Sequence, residues 1–166
     1  DDEANNGGPY WDGWTIRDAD IDGNLPSSNS ENFHPLQAEI EDGTISPADS
    51  SQCSDKGKGL AEAGTTNVFG KEFPVCVIQD GDLDGDYELT NDHVYLLDGT
   101  VQIGNGDVEE AHDPSNVRED VLTVEQGTQI MGVSNTDPSL VVTRGSKIQA
   151  QGTAEQPIIF GAVDAE

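Results

Sequence analysis

The sequence predicts an all-β chain, a short solenoid of stacked parallel coils preceded by an irregular N-terminal cap. Three observations predict it. A strand–turn–strand phrase recurs between Asp92 and Val163, the composition suits short strands and tight turns, and residues 1–72 carry no such phrase. Apolar residues make up 33% of the chain and aromatics 5%, against 19 glycines, too lean a mixture for a thick globular core.

The repeated phrase comes first because the rest leans on it. Written one under another, DHVYLLDGTVQIG, DVLTVEQGTQIMG and SLVVTRGSKIQAQG align Gly99, Gly127 and Gly145 in one column, each followed by a hydroxyl, Thr100, Thr128 or Ser146. Val94, Leu122 and Leu140 stand five places before the glycine, and Leu96, Val124 and Val142 three places before it. That is the period-two spacing of a half-buried strand. After the glycine the first copy falls out of step, its Val101 and Ile103 straddling the position of Ile130 and Ile148, as a one-residue bulge or a shifted first coil would give. The step from Gly127 to Gly145 is near the length of one solenoid turn, and the step from Gly99 to Gly127 leaves room for a loop of about ten residues more. AHDPSNVRED, residues 111–120, supplies that loop, and a last apolar strand spans Ile158–Phe160. One apolar face per coil cannot be buried alone, so the coils must stack.

The wording LTVEQGTQIMG and LVVTRGSKIQAQGTAEQPIIF resembles that of secreted bacterial right-handed β-helix proteins, large surface or lipid-anchored proteins without an assigned activity. The resemblance covers roughly residues 90–160 and implies a right-handed parallel β-helix. Members of that group continue for several more coils. This chain is therefore a fragment, or a short relative whose last coil something else covers.

Ahead of the coils, residues 1–9 read as an extended arm. Trp11 and Trp14 in YWDGWTI either plug the end of a core or stack on a sugar. In FHPLQAEIEDGTI the alternation of Leu36, Ala38 and Ile40 predicts a strand, and the polar stretch from Ser46 to Gly70 predicts a loop with at most one helical turn. Residues 1–72 thus form the cap and arm, and residues 73–166 the coils. Cys53 and Cys76 are the two cysteines; they read as one disulfide in an oxidising compartment, with two free buried thiols as the alternative. If joined, they would restrict the unfolded chain by roughly 3 kcal/mol.

Charge narrows the partners. Asp and Glu total 33 against 7 Lys and Arg, a formal −26 at pH 7, which argues against nucleic acid and against an anionic membrane surface. A compact chain so charged repels itself unless salt or cations screen it. The sequence contains no transmembrane run and no leader peptide, and is taken as a mature secreted or cell-surface form.

Calcium is the cofactor the spacing suggests. Asp80, Asp82, Asp84, Gly85 and Asp86 spell DGDLDGD, and Asp18, Asp20, Asp22, Gly23 and Asn24 spell DADIDGN. Three carboxylates on alternate residues before a glycine converge on a hard cation in loops of the EF-hand type. The twelfth positions, Asn29 and Asn91, lack the usual bidentate Glu, so Glu88 and Asp92 are candidate additional ligands of the second loop. An aspartate-rich chain also produces such patterns by chance. For catalysis there is little. His34, His93 and His112 have no partner at a motif spacing, no serine sits in a nucleophile elbow, and with so many acids a carboxylate pair means nothing. Arg144 and Lys147 flank Gly145, where a solvated face explains them as well as a role on an acidic polysaccharide.

These readings favour a secreted, calcium-stabilised structural subunit, not an enzyme, that assembles with copies of itself into an extracellular filament or matrix. A glycan-binding surface module is the alternative, and a polysaccharide lyase or hydrolase a second one.

Overall fold

The computed structural model describes residues 35–50, 53–55, 58–106 and 113–163. The chain divides into two compact units, Asp1–His34 and Pro35–Glu166, and everything below concerns the second. The first calcium-type loop with Asp18, Asp20, Asp22 and Asn24, the two tryptophans, Asn29, His34 and His112 all lie outside the described residues.

The unit opens with helix α1, Gln37–Asp42, followed by strands β1, Ser54–Asp55; β2, Lys58–Gly59; β3, Ala61–Val68; and β4, Lys71–Ile78. Next come β5, Tyr87–Leu89; β6, Val94–Leu97; β7, Thr100–Ile103; a 3-10 turn at Pro114–Asn116; and β8, Val121–Val124. The last four strands are β9, Gln129–Val133; β10, Ser139–Val142; β11, Lys147–Ala150; and β12, Ile159–Val163. The fold is thus mainly β.

Two sequence expectations fail ahead of the coils. The segment around Leu36 and Ile40 is helical, because its buried residues sit four apart and not two: both are fully buried while Ala38 faces solvent. Gly43, in the left-handed conformation at φ 91, ends the helix as a C-terminal cap. The stretch from Ser46 to Gly70 contains eight-residue β3, which folds back antiparallel on β4 with Thr65 opposite Pro74 and Val68 opposite Lys71. Its polar TTNV half hid it, since β3 is mostly exposed and needs no apolar alternation.

Three sheets pair in parallel through the rest of the unit. One has the order β12-β9-β6-β4-β3, one β11-β8-β5, and one β10-β7; only the β3–β4 contact within them is antiparallel. The chain visits these sheets in rotation, β6 then β7 then β8, then β9, β10 and β11, before β12 returns to the first. Stacked residues form ladders: Cys76, Tyr95, Ile130 and Phe160 in one, Tyr87, Leu122 and Ile148 in another, Ile103 and Val142 in a third. Those ladders build the inner core with Leu83, Leu89, Leu97, Val101 and Val124. A second cluster lies on the other face of the five-stranded sheet, where Leu36, Ile40 and Ile45 cover Phe73, Val75, Val94 and Ile159.

The glycine column needs a different reading. Gly99 lies between β6 and β7, Gly127 between β8 and β9, and Gly145 between β10 and β11, so the three mark three different corners and not one corner of successive coils. The true stacking partners are pairs such as Val94 with Gln129 and Val121 with Lys147. Chemistry explains the deception. Each corner is a tight turn that needs a residue at positive φ, and the glycines sit at 82°, 79° and 93°. At two of them the hydroxyl residue closes the turn, Thr128 N–H donating to the Glu125 carbonyl and Ser146 N–H to that of Thr143, which puts glycine third in a four-residue turn. The phrase repeats at these three corners because each needs a residue at positive φ after a strand.

Cys53 and Cys76 form a disulfide with Cα atoms 5.5 Å apart, closing the alternative of free thiols. Cys53 and Leu60 join the inner core at its N-terminal end, and Leu83 is fully buried in it.

Candidate functional site

Two places carry chemistry: the acidic loop before β5, and the rung made by β10, β11 and β12.

The loop DGDLDGD turns inward on its one apolar residue. Leu83 buries in the core, while Gly81 and Gly85 take positive φ to swing the aspartates outward. The four carboxylates then go to separate partners. Asp80 Oδ1 accepts from the Gln102 amide at 3.3 Å, Asp82 Oδ2 from the Gln79 amide at 2.8 Å, and Asp86 Oδ1 from the Val121 amide at 3.0 Å. Asp84 Oδ1 accepts from Arg118 Nη2 at 2.6 Å. Arg118 Nε lies 3.1 Å from the Asp120 carboxylate, an ion pair without hydrogen-bond alignment, and that carboxylate also accepts from the Gly85 amide at 3.0 Å. The Asp84 hydrogen bond, followed by the charge of Asp120, holds the Arg118 pKa above its ordinary value against the opposing effect of burial.

No group of three His, Cys, Asp or Glu side chains suited to a metal occurs among the described residues. A cation drawing on Asp84 Oδ1 would compete with Arg118, whereas the amide bonds to Asp80, Asp82 and Asp86 each occupy one of the two carboxylate oxygens. Of the further candidates, Asn91 donates from Nδ2 to the Gln126 carbonyl and from its amide to Glu125, and Asp92 binds Thr90 Oγ1 at 2.5 Å and His93 Nδ1 at 2.7 Å. Glu88 lies on β5. The loop is a corner piece, buttoned to the coil beside it.

Arg118 and Asp120 had escaped the sequence reading. Their only signal is a lone arginine among acids in VREDVL, where an uncompensated cation in so acidic a chain marks a point of contact.

The rung is the second place. Among the described residues the exposed large apolar side chains are Val141, Val142, Ile148, Phe160 and Val163, and every one lies on β10, β11 or β12. Three of them have buried ladder partners one coil earlier, while Val141 and Val163 stack on half-buried Gln102 and Val133. Phe160 is 55% exposed over Ile130 at 1%, Ile148 40% over Leu122 at 0%, and Val142 37% over Ile103 at 0%. For these three the residue type and direction are those of a core position. Arg144 and Lys147 are also exposed here, Arg144 in the β10–β11 corner and Lys147 at the start of β11. Within residues 139–163 they and Glu155 are the only charged side chains, so this rung escapes the acidic excess.

The rotation through three parallel sheets, with ladders of like residues between coils, defines a protein of the β-helix class. The sequence profile of the pectate-lyase-like β-helix domain matches residues 81–166, and the chain belongs to that family. No curated protein and no solved structure matches it.

Proposed function

We propose that the chain is an extracellular structural module, a right-handed parallel β-helix that self-associates through the rung of β10, β11 and β12. The observation that carries this reading is the placement of the exposed large apolar side chains on one rung, three of them, Val142, Ile148 and Phe160, above buried partners. Three sheet edges end there together, and unpaired edges beside an apolar cross-section promote association. The disulfide supports an oxidising location. Covering a side chain such as Phe160 or Ile148 contributes roughly 1–2 kcal/mol, enough over several residues to oppose the entropy lost on association.

Sedimentation velocity over a range of concentrations tests it. Self-association that weakens in Phe160→Asp supports the reading; a monomer at every concentration contradicts it. The proposal includes calcium at the loops Asp18–Asn24 and Asp80–Asp86, and a melting temperature that calcium leaves unchanged would remove it.

The family description favours a second reading, contact with an acidic polysaccharide, for which Arg144 and Lys147 provide exposed positive charge. Binding of polygalacturonate that Arg144→Ala and Lys147→Ala both abolish would support it, and unchanged binding would exclude these residues.

A further inference from the structure

We infer that Asn105 and Gly106 form a covalent modification site, a deamidation site built into the corner after β7 and held inactive by the hydrogen bonds of the folded chain.

The sequence at this corner is Gly104, Asn105, Gly106, and packing explains both glycines. Gly104 has φ 86, and a Cβ on it would stand 2.7 Å from Thr143 Oγ1. A Cβ on Gly106 would run into the Arg144 backbone, 2.5 Å from its carbonyl oxygen and 2.8 Å from its Cα. The fold therefore requires glycine directly after Asn105. That requirement has a chemical consequence, because a following residue without Cβ leaves its backbone nitrogen unshielded beside the asparagine side chain. The Gly106 nitrogen attacks Asn105 Cγ, and Nδ2 leaves as ammonia with the proton that the Gly106 nitrogen gives up. A succinimide ring remains. Water then opens it at one carbonyl or the other, giving aspartate or isoaspartate.

In the folded chain the reacting groups are all engaged. Gly106 N–H donates to Thr143 Oγ1 at 2.9 Å, and the Thr143 hydroxyl donates in turn to the Ile103 carbonyl at 2.8 Å. Thr143 is buried with its proton committed to Ile103, so its oxygen is a fixed acceptor for Gly106. Asn105 Nδ2 donates to the Asn116 carbonyl at 3.0 Å, while its Oδ1 accepts from the Arg118 amide at 2.8 Å. Attack by the Gly106 nitrogen breaks the first of these bonds. Swinging the carboxamide to meet that nitrogen breaks the other two.

The same bonds decide what the modification does. Asn105 joins the end of β7 to Asn116 and Arg118 on the way into β8, and Gly106 lies against Arg144 in the β10–β11 corner. Deamidation replaces the donor to Asn116 with a carboxylate oxygen that faces a carbonyl, and it adds a negative charge to a chain already at −26. Isoaspartate also lengthens the backbone by a carbon just before Gly106, where the Arg144 backbone leaves no space. A single modification thus loosens two corners.

The test keeps the full chain at mildly alkaline pH, folded or in urea, and follows residue 105 by peptide mass mapping, which separates it from Asn6, the other asparagine before glycine. Position 105 should react roughly a hundredfold slower in folded protein than in urea, the combined weight of three hydrogen bonds. Thr143→Val keeps the shape and removes the acceptor; it should raise the folded rate about three- to tenfold and leave the rate in urea unchanged. Asn105→Asp, which is the product, should speed hydrogen exchange at residues 116–118 and 143–146. Equal rates at position 105 in folded protein and in urea would overturn the inference without any variant, and no reaction in urea would remove the site altogether. A folded Thr143→Val chain that reacts at the parent's rate would overturn the role of the threonine. Exchange in Asn105→Asp that matches the parent would overturn the loosening of the two corners.

Discussion

Arg118 ties neighbouring segments together through its side chain and its backbone. It reaches Asp84 in the acidic loop and Asp120 ahead of β8, its own amide donates to Asn105 Oδ1 at 2.8 Å, and its carbonyl accepts from Ser146 Oγ at 3.3 Å. Replacing it with Ala leaves the Asp120 carboxylate, 9% exposed, without its cation. Since Asp84 is 54% exposed, solvent offsets part of the loss, and urea denaturation should show Arg118→Ala less stable by about 1–3 kcal/mol. The corner glycines grade in the same way. A Cβ at Gly145 would stand 2.2 Å from Val117 Cγ1 and 2.8 Å from the Arg118 carbonyl, whereas one at Gly99 meets only the Thr136 carbonyl at 3.7 Å. Gly145→Ala should cost about 3 kcal/mol or more and Gly99→Ala about 1 kcal/mol, the second being the backbone conformation alone. Equal losses in the two variants would contradict the corner geometry. At this scale the sequence was half legible. It marked the glycines, because a turn at positive φ selects them, and it marked the aspartates of the acidic loop. It did not show that these aspartates serve amides and an arginine, because partners from distant segments leave no spacing to read.

Among the elements, the β3–β4 hairpin closes one edge of the five-stranded sheet and its stability should depend on pH. Glu72 accepts from Asn67 Nδ2 at 2.9 Å and from Thr65 Oγ1 at 2.9 Å, and these bonds, Asn67 first, hold its carboxyl below the ordinary carboxylate range. A lowered carboxylate pKa stabilises the fold above the unfolded-state value, and that contribution fades as pH falls through the folded-state value. Thermal melts of Glu72→Gln and the parent chain should therefore differ near neutral pH and converge in acid; a constant gap would place the effect elsewhere. The comparison must be between the two proteins, because acid also neutralises the self-repulsion of the whole chain. Strands of the coils were visible in sequence through their alternation, as in VLTV, whose Leu122 and Val124 pack inward; in VYLL it is Tyr95 and Leu97 that face the inner core, while Val94 and Leu96, aligned with Leu122 and Val124 in the repeat, face the second cluster. Helix α1 and β3 were not. The helix shows only Leu36 and Ile40, which a period of two fits as well as a period of four. The exposed strand β3 is fixed by its neighbour and not by its own pattern.

For the coil-bearing unit as a whole, acidity and association oppose each other. Copies at a formal −26 repel at long range, so raising salt should tighten self-association until the Debye length falls to a few ångströms, roughly 3 Å near 1 M. Sedimentation at low and high salt checks this; weaker association in salt would point to ion pairs at the contact in place of apolar burial. The sequence pointed to an apolar strand near residue 160, but it did not show the hairpin, the disulfide and the buried leucine that pack at the start of the coils.

The claim on which the rest depends is that the rung of β10, β11 and β12 is a buried surface in the working protein, and hydrogen–deuterium exchange at rising protein concentration tests it most directly. Protection should grow in residues 139–142, 147–150 and 159–163 while β6 and β7 stay unchanged. Exchange in those three segments that is fast and independent of concentration would contradict it.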